Sequence, residues 1–306
     1  MRDISKFNVP LAKYTSYKVG GSAKIYFKPE NLQQLVEFIK ELPKEEEIFW
    51  LGLGSNVLIR DGGIDGVVIH THNVLNTVEV VEQNSNGLLV KVGAGLSCAQ
   101  LAKFCVKNNL AEGIWFAGIP GTIGGALAMN AGAFGGETWR HVIGVEVINR
   151  QGEILQRSKD DYKISYRSVI NVKNFNEKPN EWFIAGLLFF LFSNRATNDF
   201  QNELQEQINL LLKKRKTTQP IGTLNCGSVF KNPTNNFAAK LIESSQLKGK
   251  KLGDAIVSDK HANFIINLGT ATAKDLEQLI CLVQKEVFNR HNILLEPEVK
   301  IVGKPN

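Results

Sequence analysis

The 306-residue sequence predicts an α+β fold of two or three compact units, and three observations predict it. The length is about twice an ordinary ~150-residue domain, enough to bury a sizeable core. Short apolar runs bounded by glycine and asparagine turns fill much of the first two thirds and read as strands. Two longer patterns with helical periodicity, over 198–216 and 272–290, occupy the last third. Apolar residues make up 43% and charged residues 22%, which excludes a disordered chain.

Taken in order, 23–27 reads as a strand, and Asn31 caps a helix in which Leu32, Leu35, Val36, Phe38 and Ile39 recur at helical spacing. Ile48–Leu51 reads as a buried strand running into Gly52-Leu53-Gly54-Ser55-Asn56 and on into a second strand, Val57–Ile59. Strands at 67–69, 78–81 and 88–92 follow, the last two joined by the hairpin pair Asn86-Gly87. After a helix over 97–108 comes a glycine-dense segment, 117–137. Its middle reads as a helix with Pro120 just before the first turn and free N–H groups at that end. Strands return at 141–148 and 182–192. The helix over 198–216 places Leu204, Ile208, Leu211 and Leu212 on one face, and Thr272 with Asp275 forms a capping box for the helix over 272–290.

The formal charge is +6, and residues 197–306 carry fifteen Lys/Arg against eleven Asp/Glu. A nucleic-acid binder would show a basic stripe interleaved with stacking aromatics. The one dense run is Lys213-Lys214-Arg215-Lys216, so an anionic small molecule is the expected partner and nucleic acid is not. Such a run also reads as a solvated helix end. Four cysteines without a Cys-x-x-Cys pair fit reduced thiols, hence a cytosolic chain. The longest apolar run, 187–192, is far short of the ~20 residues of a membrane span, and no export segment opens the sequence. His70 and His72 share a strand face without a third ligand, so no metal is expected.

Four segments carry chemistry. Twenty of the 27 glycines precede residue 153, so the front half is built for close backbone approach to a ligand. The turn 52–56 presents consecutive N–H groups that suit phosphate oxygens, and the second segment, 118–125, could grip the other end of one pyrophosphate. Together they suggest a dinucleotide. Neither Gly-x-x-x-x-Gly-Lys-Ser/Thr nor Gly-x-Gly-x-x-Gly occurs, which leaves an antiparallel or mixed α+β flavin-binding architecture rather than a Rossmann domain. In 227–233, Ser228 followed by Lys231 offers a proton donor or nucleophile with a nearby cation, or a capping serine and a solvated lysine. In 162–168, Arg167 beside Tyr166 is a carboxylate clamp or a loop brace. In 295–300, Pro297 forbids helix and Glu298 falls at the start of a strand, as a functional carboxylate or a surface ion pair with Lys300.

The segments 52–58 (Gly-Leu-Gly-Ser-Asn-Val-Leu), 118–125 (Gly-Ile-Pro-Gly-Thr-Ile-Gly-Gly), 130–137 (Asn-Ala-Gly-Ala-Phe-Gly-Gly-Glu), 166–168 (Tyr-Arg-Ser) and 227–233 (Gly-Ser-Val-Phe-Lys-Asn-Pro) stand in one order along nearly the whole chain. In this the sequence resembles the UDP-N-acetylenolpyruvoylglucosamine reductase family. The resemblance implies FAD in the two-subdomain fold of vanillyl-alcohol-oxidase-type flavoproteins, NADPH as reductant and a C-terminal α+β domain for the UDP-sugar. It implies subdomains at 1–72 and 73–196 and a substrate domain at 197–306, with a last strand near 294–302 returning to the first.

Carried over by position, Arg167, Ser228 and Glu298 are the implied catalytic residues, Ser228 as proton donor helped by Lys231. The implied flavin residues are Gly52, Leu53, Gly54, Ser55, Asn56 and Val57, then Gly118, Ile119, Pro120, Gly121, Thr122, Gly124 and Gly125, then Ala131 and Gly132. Lys231, Asn232, Arg215 and Tyr166 are the implied UDP-sugar contacts. The sequence resembles the family's shorter class, because the tyrosine-bearing loop of longer members has no counterpart, and Val169 stands where a second serine is usual. A monomer is expected. Competing readings are a sugar-alcohol or lactone oxidase of the same fold, with flavin tethered through histidine or cysteine, and a non-catalytic UDP-sugar module.

Overall fold

A computed structural model describes residues 5–172, 180–193, 195 and 198–305. Strands β1 (Ser5–Pro10) and β2 (Ser22–Phe27) precede helix α1 (Leu32–Glu41), followed by β3 (Ile48–Leu51), β4 (Val57–Ile59) and β5 (Ile64–His70). Next come β6 (Val78–Gln83), β7 (Gly87–Gly93), α2 (Cys98–Lys107) and α3 (Ile123–Met129). The short strands β8 (Gly132–Ala133) and β9 (Gly136–Glu137) lead to β10 (Val142–Asn149), β11 (Ile154–Ser158), β12 (Tyr162–Ser165), β13 (Ser168–Asn171) and β14 (Glu181–Leu191). The remaining elements are α4 (Asn198–Thr218), α5 (Ala238–Ser244), β15 (Lys251–Leu252), β16 (Ala255–Val257), β17 (Ile265–Asn267), α6 (Ala273–His291) and β18 (Lys300–Val302).

The chain divides into two compact units, each assembled from separated stretches. The first comprises Phe27–Leu53 and Ile69–Lys213. Its centre is an antiparallel sheet in the order β11-β10-β14-β7-β6. The Asn84–Gly87 turn that joins β6 to β7 is fixed by Asn84 Oδ1, which accepts from Asn86 N–H at 2.9 Å and Gly87 N–H at 3.1 Å. Val90, Leu101, Phe116, Leu127, Trp139, Val145 and Phe190 form one buried cluster with Phe200, Leu204 and Ile208 of α4. The expected apolar face of α4 is corrected at its far end, where Leu212 is exposed because that turn has left the cluster.

The second unit comprises Lys6–Tyr26, Gly54–Val68 and Lys214–Asn306. Here β1, β2 and β5 lie side by side in that order, and β18 pairs in parallel with β4, Lys300 opposite Val57. Helices α5 and α6 and the sheet β15-β16-β17 share a core of Leu241, Val257, Ile265, Leu276, Leu279, Ile280 and Val283. The predicted cap of α6 is present, Thr272 Oγ1 accepting from Asp275 N–H at 3.1 Å. Asp61 adds two more bonds at that end, to Ala273 N–H at 3.0 Å and Lys274 N–H at 2.9 Å.

Tyr17 is wholly buried in this second core and its hydroxyl has no hydrogen-bond partner among the described residues. A buried hydroxyl left unpaired costs about 1–3 kcal/mol. Tyr17→Phe is therefore expected to raise stability by about 1 kcal/mol, read as a higher urea midpoint. A lower midpoint would show that the hydroxyl has a partner in solution.

Candidate active site

The two glycine segments meet. A Cβ built on Gly52 would lie 2.5 Å from Thr122 Oγ1, so only glycine lets the turn after β3 close on the start of α3. Thr122 is itself fixed: it is 2% exposed, bridges Ser97 and caps α3 at Gly125 N–H, 3.5 Å away. His70, at the end of β5, lies against the Gly52 main chain, and burial, with Lys28 adding charge repulsion, pushes its pKa down to about 4. The ring is thus neutral at physiological pH. His72 stacks on it with ring centroids 6.2 Å apart. Among the described residues no group of three His, Cys, Asp or Glu side chains is arranged to hold a metal ion.

In the Gly52–Asn56 turn, the N–H groups of Leu53, Gly54 and Ser55 donate to no acceptor among the described residues. Gly54 has φ +68°, and a Cβ there would lie 2.0 Å from Tyr14 O, while Ser16, two residues on from Tyr14, donates its N–H to Gly54 O at 2.9 Å. This turn fits a pyrophosphate, because unpaired amides on a left-handed glycine turn form an anion cradle. Gly54→Ala is expected to lose bound FAD and to destabilise by at least the ~1–3 kcal/mol of a side chain held at positive φ. Flavin content and melting temperature check it.

The second glycine segment behaves differently from its sequence-level expectation. Its helix begins at Ile123 rather than beside Pro120, and 111–118 is a 3₁₀ segment. The α3 terminus is not free: Ile123 N–H donates to Leu96 O at 2.9 Å and Gly124 N–H to Ala94 O at 2.8 Å. Buried amides must find acceptors, and here the β7–α2 link supplies them. Ile119, Gly121 and Ala131 likewise donate to Phe116 O, Ile119 O and Ala126 O. Gly118 is packed beneath Phe134 and Ala133, and Gly132 pairs with Glu137 across β8 and β9. Pro120 and Gly125 flank the Thr122 cap at either end.

Arg167 and Tyr166 form the two-residue loop of the β12–β13 hairpin, closed by the Ser165–Ser168 pair. Arg167 sits at φ 55°, a left-handed conformation that a branched or long side chain adopts only under constraint. Its guanidinium lies 5.0 Å from the centroid of the exposed Tyr166 ring. Nη1 donates to Asn130 O at 3.3 Å and Nη2 to Gly132 O at 3.1 Å. Asn130 ties the same hairpin down by donating to Ser165 O at 3.1 Å while accepting from Trp139 N–H at 3.1 Å. The arginine therefore braces the 130–132 backbone, and its fork stands beside implied flavin residues.

In the second unit, Ser228 and Glu298 are drawn together by main-chain bonds. Glu298 N–H donates to Val229 O at 2.7 Å, and Phe230 bridges Pro297. Glu298 does not start a strand as expected: it lies between that bridge and β18, which begins at Lys300. Asn56 donates to Glu298 O at 3.0 Å through Nδ2, and Lys300 N–H donates to Asn56 O at 3.1 Å, so the glycine turn and the carboxylate-bearing segment are one assembly. Val57 heads β4 in it. Gly227, at φ +76°, turns the chain before Ser228. The partly exposed Ser228 hydroxyl makes no hydrogen bond among the described residues.

Lys231 has a partner other than Ser228: its Nζ lies 2.6 Å from Glu296 Oε1. Asn232 Oδ1 accepts from Ala238 N–H at 3.0 Å and so caps α5. Arg215, half-buried near the end of α4, has its guanidinium pKa pulled below the usual range by burial and donates through Nε to Gln219 Oε1 at 2.8 Å. Cys98 and Cys226 are buried thiols pushed up to about 12, which makes them poor candidates for a flavin tether.

Residues 23–158 match the FAD binding domain family, and residues 219–302 match the family described as UDP-N-acetylenolpyruvoylglucosamine reductase, C-terminal domain. A UDP-N-acetylenolpyruvoylglucosamine reductase of Coxiella burnetii (strain Dugway 5J108-111) is 52% identical over 96% of this chain and 94% of its own. The chain belongs to the UDP-N-acetylenolpyruvoylglucosamine reductase family. The Legionella pneumophila (strain Paris) reductase is 48% identical over 98% of this chain and 94% of its own. The crystal structure of the Thermus caldophilus reductase superposes with TM-score 0.76 at 28% identity, covering 98% of both chains. The reductase-family assignment and the α+β flavoprotein fold agree with the architecture above.

Proposed function

We infer that the chain is an FAD-containing, NADPH-dependent oxidoreductase that reduces the enolpyruvyl ether of UDP-N-acetylglucosamine enolpyruvate to UDP-N-acetylmuramate, a step of peptidoglycan precursor synthesis. The observation that carries this reading is the closure of Gly52 onto Thr122 beside a turn of unpaired amides. Residues 52–57 would hold the FAD pyrophosphate, with 118–125, Ala131 and Gly132 shaping the wall against it. When bound, FAD supplies a two-electron carrier between NADPH and the alkene.

The residues' own roles follow from charge and protons. As the terminal alkene carbon gains hydride, negative charge spreads over the adjacent carbon and its carboxylate. Arg167 stabilises that charge, since a preorganised guanidinium acts where charge develops. Ser228 Oγ gives its proton to the adjacent carbon, completing addition of hydride and proton across the double bond. Glu298, joined to the Ser228 segment through Val229, assists as a protonated carboxyl or through a bridging water, since a bare carboxylate would repel the enolate. Lys231, Asn232, Arg215 and Tyr166 bind the UDP-sugar in this reading. We assign residues 1–72 and 73–196 to flavin binding and 197–306 to the UDP-sugar. No described helix is long and apolar enough to cross a membrane, and we place the reaction in the cytoplasm, with the enzyme as a monomer.

Anaerobic stopped-flow spectroscopy tests the reading. NADPH should bleach the flavin of the purified protein, the UDP-sugar should restore the colour, and acid should release FAD from the polypeptide. A colourless protein that takes up no FAD overturns it, as does colour that stays with the denatured chain.

A further inference from the structure

The segment that carries Ser228 is held by a residue outside every motif. Asn263 lies in the turn just before β17 and is 4% exposed. Its main-chain carbonyl accepts from Val229 N–H at 2.9 Å. Its side chain closes on the main chain of one residue, Oδ1 accepting from Phe230 N–H at 2.9 Å and Nδ2 donating to Phe230 O at 2.8 Å. Phe230 is 1% exposed, so water cannot take over those bonds, and a primary amide offers the donor and the acceptor that match one residue's C=O and N–H. Glu298 hangs from the same stretch through its bond to Val229 O. On the other side of Ser228, Gly227 N–H donates to Asn225 Oδ1 at 2.9 Å and the Cys226 thiol to Val57 O at 3.4 Å. The Ser228 hydroxyl has no bond of its own among the described residues, so the flanking main chain sets the position from which it is presented.

We propose that Asn263 is a positioning residue for proton transfer, whose side-chain amide fixes the Val229–Phe230 main chain and so aims the Ser228 hydroxyl. This rests on the reading of Ser228 as the proton donor. A displacement of about 1 Å at a reacting group costs about 100-fold in rate, and Asn263→Ala removes both side-chain bonds that hold the buried Phe230 N–H and C=O.

The test uses the FAD-loaded full chain as Asn263→Ala, Ser228→Ala and the double variant, following flavin bleaching by NADPH and colour recovery with the UDP-sugar separately. Asn263→Ala should bleach at the wild-type rate and recover about 100-fold more slowly. The double variant should be no slower than Ser228→Ala, because Asn263 acts through that hydroxyl. Wild-type recovery in Asn263→Ala, beside a slow Ser228→Ala, overturns the inference alone. So does a double variant slowed by the product of the two single losses, as general loosening would give. Wild-type recovery in Ser228→Ala overturns the proton-donor reading and this inference with it. Where Asn263→Ala does not retain FAD, Asn263→Asp keeps the acceptor for Phe230 N–H and replaces the donor to Phe230 O by a carboxylate oxygen that repels it. It should slow recovery and leave bleaching unchanged, and equal recovery to wild type overturns the proposal.

Discussion

Ser228→Ala is expected to lower turnover of the enolpyruvyl substrate by about 100-fold to 10,000-fold, the usual contribution of a positioned general acid. Bleaching of the flavin by NADPH should not change, because that half of the cycle needs no proton from the serine. Folding should be spared as well. The hydroxyl bonds to nothing among the described residues, so its removal strands no partner, and a partly exposed Ser to Ala change of this kind stays within about 0.5 kcal/mol. The variant therefore separates chemistry from stability cleanly. Normal turnover in it would move the proton source to another group. Loss of both half-reactions together would point instead to a disturbed flavin site.

The second large effect is expected at Arg167. Arg167→Lys keeps the positive charge and the left-handed backbone of the hairpin loop, so any backbone strain is common to both proteins. What it removes is the planar fork that reaches Asn130 O and Gly132 O at once. Colour recovery with the UDP-sugar should slow by about 100-fold to 1,000-fold, the range seen when one donor to a developing oxyanion is lost. Bleaching by NADPH should stay near wild type if the residue serves the substrate. Recovery at the wild-type rate would show that Arg167 is a brace only.

Elements with strong local signals were legible. Asn31, Thr272 with Asp275, and the Asn84–Gly87 turn occupy the positions that their side-chain chemistry dictates. The β12–β13 hairpin was not, because its loop is Tyr166-Arg167, without the glycine or asparagine that marks a tight turn. Helix α5 was missed for a related reason: Phe237 stands at its cap position, and the capping oxygen comes from Asn232, six residues before Ala238. The two- and three-residue strands β15, β16 and β17 are too short for alternation to register.

At the site, motif order pointed to the glycine turns and to Ser228, but could not show which amides were already paired. Nor could it show Asn263, whose importance lies in a hydrogen-bond partner 33 residues away. A polar residue inside the apolar run Ala262-Asn263-Phe264-Ile265 was the available signal, since a buried amide must be satisfied by something.

The parallel pairing of β18 with β4 sets a clock on biosynthesis. Asn56 and its acceptor on Glu298 are 242 residues apart, and a ribosome adding ~5–20 residues per second needs roughly tens of seconds to cover that distance. Until then β4 has no neighbouring strand and the glycine turn ahead of it lacks its anchor. The anchored form of this turn is thus completed only after translation has passed residue 302.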